Sequence, residues 1–125
     1  MISIDRFEEL LEELAEELPE AFFEELNGGI LISPKHPLHP ADERGDLYIM
    51  GEYRTDPAMG NYIVLYYGSF CRVHSDMDES SLKEEMRRTL RHEFRHHVEI
   101  RAGVHDLEDW DAQRIAEYRA ENREK

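Results

Sequence analysis

The stretch T-L-R-H-E-F-R-H-H-V-E-I, residues 89–100, decides how this chain is read. Leu82, Met86, Leu90, Phe94 and Val98 step by four through it, the spacing of an apolar stripe on one side of an α-helix. Set within the stripe is His92-Glu93-Phe94-Arg95-His96. His92 and His96 lie two residues from stripe members, a rotation of roughly 200°. They share a face turned away from the stripe, one turn apart. His97 projects on the Leu90/Phe94 side and reads as a structural core residue.

That spacing has a chemistry. Imidazoles at i and i+4 are neighbours and can chelate one ion. Zinc takes two such nitrogens at about 2.0–2.1 Å, adds a third protein ligand and leaves a fourth position to water. Glu93 follows the first histidine and points to one side of the pair. It is placed to take a proton from a metal-bound water, whose pKa falls to about 7. The motif thus offers two metal ligands, His92 and His96, and a general base, Glu93. The third ligand stays open.

Ser81-Leu82-Lys83-Glu84 has the form of a capping box, so the spacing predicts a helix from there to about Ala102, stopped at Gly103. A last helix spans roughly 107–121, with Leu107, Trp110, Ile115 and Tyr118 on its apolar side and Asp106 as its N-cap. Upstream, Ile4, Phe7, Leu11, Leu14 and Leu18 mark an amphipathic helix of about four turns. Pro19 closes it, and A-F-F-E-E-L forms a short second helix stopped by Asn27-Gly28-Gly29. I-L-I-S (30–33) reads as a buried strand, and the proline-rich segment 34–45 as loop. D-L-Y-I-M-G-E-Y (46–53) and N-Y-I-V-L-Y-Y (61–67) read as a hairpin turning at D-P-A-M-G, with G-S-F-C-R-V as a further short strand. The class is α+β: N-terminal helices, a small central sheet, the motif helix and a C-terminal helix.

A chain of 125 residues has the size of one domain, taken as 1–125. The net charge of −14 argues against nucleic acid or an anionic membrane as partner. Residues 1–27 carry ten acidic side chains against Arg6 alone, while 83–101 hold Lys83, Arg87, Arg88, Arg91, Arg95 and Arg101. The basic segment is expected to pack near the acidic one, its arginines ion-paired with the first helix. Cys71 is the single cysteine, which excludes an internal disulfide and a cysteine metal cage. With no secretory signal and no apolar run of about 18 residues, a cytoplasmic protein is expected.

The acidic first helix, the L-N-G-G-I turn, D-L-Y-I-M-G-E-Y, Y-I-V-L-Y-Y-G-S-F and above all T-L-R-H-E-F-R-H-H resemble the small bacterial "minimal zincin" metallopeptidases. The likeness is strongest to the subgroup with H-E-F-R-H-H followed by A-G-x-x-D-L-E. It implies a zincin-like fold and zinc-dependent hydrolysis of an unidentified peptide or protein substrate, with Zn2+ as cofactor. The family form H-E-x-x-H-x-x-G-x-x-D implies that its last Asp is the third ligand. Here Gly103-Val104-His105-Asp106 comes four residues late, about 6 Å and 40° further along a helix. Asp106 therefore reaches the metal only if the chain folds back at Gly103. His105 and then Glu99 rank behind it. An extended substrate would lie along a strand edge beside the helix. The rival reading is a metal-binding or vestigial zincin domain without proteolytic activity, acting through partner contacts.

Overall fold

Ile63, Val64 and Leu65 form the middle of the molecule. They belong to β3 (Gly60–Tyr66), the centre of a three-stranded sheet in the order β1-β3-β2. β1 (Gly29–Ser33) runs parallel to it and β2 (Gly51–Asp56) antiparallel. The computed structural model describes residues 1–105. The helix expected over 107–121 and the N-cap role of Asp106 lie outside the described residues. N-terminal helices, a small central sheet and a long helix on its C-terminal side make an α+β arrangement.

The first helix, α1 (Ile4–Glu16), begins where Ser3 Oγ accepts from the Arg6 N–H at 3.1 Å, and it buries Phe7, Leu10, Leu11 and Leu14. After Pro19 the chain makes one 3-10 turn, Glu20–Phe23. Glu25 then takes a left-handed φ of 64°, which ends the expected short helix early. At the hairpin, Asp56 Oδ1 accepts from the Ala58 and Met59 N–H groups, and Gly60 supplies φ +80°. The hairpin between β2 and β3 agrees with the sequence pattern.

Four local readings change. Residues 46–50 are not strand; Tyr48 makes one isolated bridge to Leu38, and β2 starts only at Gly51. β1 is an edge strand, not a buried one, with Leu31 40 % exposed. G-S-F-C-R-V is helical, within α2 (Tyr67–Val73). Phe70 there is fully buried and meets Phe7 edge-on at 5.3 Å, and Gly68 is so close to the Pro34 and Lys35 carbonyls that no Cβ would fit. Finally, α3 (Glu79–His105) is capped by Asp78, whose Oδ1 accepts from the Ser81 N–H at 2.7 Å. Ser81 is a donor in that cap rather than the N-cap itself.

Leu82, Met86, Leu90 and Phe94 are buried as their spacing requires, while Val98 is only half-buried. A step of four advances 40° beyond a full turn, so the stripe drifts across the helix. By the last turns Glu93 and His97 have entered the buried side. The two charged segments meet: Arg87 grips Glu17 with bonds of 2.8 and 2.9 Å, and Lys83 lies 3.7 Å from Glu13. Arg88 instead pairs with Glu85 in its own helix. Among the described residues no helix is long and apolar enough to cross a membrane.

Candidate functional site

The His-Glu-x-x-His stretch lies on α3 where that helix crosses β2. The crossing is close because Gly51 has no side chain. A Cβ there would stand 2.8 Å from Thr89 Cγ2 and 3.6 Å from Glu93 Cγ. Sequence reasoning misses Gly51 as a site residue, although a glycine inside a strand-like run signals close approach of another element. The fit lets Glu93 lie against the strand, 7 % exposed.

Burial raises the Glu93 carboxyl to about 7, the nearby Glu52 carboxylate pushes the same way, and the Tyr53 backbone N–H partly opposes both. Glu52 accepts from the Tyr66 hydroxyl at 2.6 Å. Burial, reinforced by that bond, pushes the Tyr66 phenol up to about 12. One turn on, His97 is fully enclosed. Its Nε2 lies 2.7 Å from the Glu24 carbonyl and its Nδ1 2.7 Å from the Tyr53 hydroxyl. A carbonyl can only accept, so Nε2 carries the proton and Nδ1 accepts from Tyr53. Burial also lowers the His97 pKa, which favours this neutral tautomer. His97 is the structural residue its position predicted, fastening α3 to β2 and to the 3-10 turn.

His92 and His96 are half-buried on the other side of Glu93. Their rings meet edge-on with centroids 4.8 Å apart and Nε2 atoms 3.2 Å apart. Two nitrogens so spaced could share an ion, but zinc requires at least one further protein donor. Among the described residues no group of three or more His, Cys, Asp or Glu could hold a metal ion. The described residues do not fit the cofactor. The expected zinc centre, and with it the expected zinc metallopeptidase activity, is corrected by this donor set.

The reason lies in the helix. By the sequence reading Asp106 reaches the metal only through a reversal at Gly103, yet α3 continues through Gly103 to His105. Nine helical residues carry the backbone of His105 roughly 13 Å past that of His96 along the axis. Glu99 shares the histidine face by spacing but does not join the pair in a three-donor group. Asp106 lies outside the described residues. A carboxyl poised near neutrality is a common trait of acid–base catalysts; for Glu93, burial and Glu52 account for it without a substrate.

These features define a class: an α+β domain whose His-Glu-x-x-His helix lies against the antiparallel edge strand of a small sheet. Residues 47–118 match the family of zincin-like metallopeptidases, and the chain belongs to that family. Among solved structures it is similar to a conserved hypothetical protein from Thermo thermophilus. The two are 34 % identical with a TM-score of 0.68, over 82 % of this chain and 99 % of that one. No curated protein matches the chain.

Proposed function

We propose that this chain is a zincin-like domain, single over residues 1–125, that works through contacts with a partner protein and does not cleave peptides. The observation that carries the reading is that His92 and His96, though paired, belong to no group of three or more His, Cys, Asp or Glu that could hold a metal among the described residues. The rest of the motif has structural work to do. Glu93 and His97 fasten α3 to β2, and the two imidazoles meet at an Nε2···Nε2 distance of 3.2 Å. In this reading Glu93 and His97 hold the helix against the strand, while His92 and His96 meet within it. The acidic surface favours a protein partner over nucleic acid or membrane. A lone thiol, Cys71, supports placement in the cytoplasm.

The test is incubation of the untagged protein with a peptide library, followed by mass spectrometry. No new termini are expected above those produced by a Glu93→Gln control. Cleavage that depends on Glu93 overturns the proposal.

A further inference from the structure

β1 is one edge of the sheet, and β2, against which α3 packs, is the other. Among the described residues it pairs with β3 alone. Natural edge strands are commonly blunted by a charge, a proline or a bulge. Gly29–Ser33 contains none of these, and its register with β3 is unbroken. Between this edge and α1 runs a groove of about 590 Å³. Its apolar surface comes from Leu11 and Ala15 on the helix and from Ile30 and Ile32 on the strand. Glu8 and Glu12, one turn apart on α1 and both exposed, line the same groove, and no basic side chain does.

We infer that this groove receives an extended peptide segment of about five residues that alternates apolar side chains with Lys or Arg, added to β1 as a fourth strand. The inference rests on the partner-contact reading above and specifies the partner. Main-chain bonds to β1 supply affinity, and alternate side chains supply selectivity. Side chains on the helix-facing side meet Leu11 and Ala15. A Lys or Arg there lays its apolar stem along that surface and brings its charge to Glu8 and Glu12. Side chains of the opposite parity sit beside the exposed Leu31. Acidic segments are rejected by the same two carboxylates.

The experiment uses the full chain and a fluorescein-labelled Lys-Val-Lys-Val-Lys-Val-Lys peptide, with the Glu-for-Lys peptide as control. Anisotropy should show saturable binding of the basic probe only. Hydrogen exchange should slow within 29–33, at the amides facing away from β3, and stay unchanged in 51–56. Glu8→Lys/Glu12→Lys should weaken binding at least tenfold, and Leu31→Lys should weaken it too; both change exposed positions, and circular dichroism checks their folds. Absence of saturable binding, protection at 51–56 instead of 29–33, or equal affinity in the charge-reversed variant overturns the inference. Mass spectrometry of the same mixtures tests the underlying reading separately. A cut probe ends the non-catalytic reading even where 29–33 is protected, and an intact but unbound probe ends only the groove.

Discussion

Replacing Glu93 by glutamine measures the energetic burden of holding this carboxyl against β2. In the folded chain it titrates at about 7, against 4.5 for an unperturbed glutamate. Between those pH values the folded state holds a proton that the unfolded state has released. Stability is therefore fully present below pH 4.5 and declines as pH rises to about 7, beyond which it levels off. At about 1.36 kcal/mol per pH unit, the gap is worth about 3 kcal/mol. Glutamine keeps the shape and an oxygen for the Tyr53 N–H, carries no charge beside Glu52, and does not titrate. Urea denaturation of both proteins at pH 5 and pH 8 reads the effect. The self-repulsion of a chain of net charge −14 acts on both equally and cancels in the comparison. Near pH 5 the two should differ by less than about 1 kcal/mol. At pH 8 the Gln variant should be more stable by about 3 kcal/mol, a midpoint shift of roughly 2 M for a slope near 1.5 kcal/mol/M. An equal difference at both pH values, or a less stable variant at pH 8, refutes the reasoning.

His97→Ala should cost about 3–5 kcal/mol, because it opens a cavity and strands the Tyr53 hydroxyl and the Glu24 carbonyl; thermal unfolding checks this. His92→Ala and His96→Ala should each cost less than about 1 kcal/mol, since both rings sit at a half-buried surface outside the apolar core; unfolding of the core by either change would contradict that placement. Gly68→Ala would drive a Cβ into the Pro34 carbonyl oxygen, so loss of folded protein, or a penalty above about 2 kcal/mol, should appear in denaturant titration. Arg87→Ala should lose at most about 1 kcal/mol, and less in high salt, because its bond to Glu17 is partly exposed.

Much of the fold was legible because its signals were local. The steps of α1, the hairpin at D-P-A-M-G, the stripe of α3 and the enclosure of His97 all follow from spacing within one element. The misreadings came where distant residues decide. G-S-F-C-R-V has strand-like side chains, but Phe70 belongs beneath Phe7 and Gly68 against the Pro34 carbonyl, and only a helix delivers both. Ser81-x-x-Glu84 has the letters of a cap, yet Asp78, three residues earlier, offers the same chemistry with better placement. The expected zinc centre lacks its third donor among the described residues for a similar reason. Spacing along one helix could place His92, Glu93 and His96, but not a ligand that depended on the chain turning at Gly103. Glycine inside a helix costs only about 1 kcal/mol, too little to force a stop.

The separation of strand partners along the chain also bears on how the sheet assembles. β2 meets β3 through a hairpin whose nearest partners are Asp56 and Gly60, whereas β1 reaches β3 across the span from Ile30 to Ile63. Closing the longer loop forfeits more chain entropy before any contact compensates for it, so hairpin and helix α3 are expected to form first and β1 to dock late. Until it docks, Ile63, Val64 and Leu65 are paired with β2 alone and present an open apolar edge, a surface prone to pair with another nascent chain. The last strand to arrive closes that hazard, and among the described residues no strand pairs with its own outer side in turn.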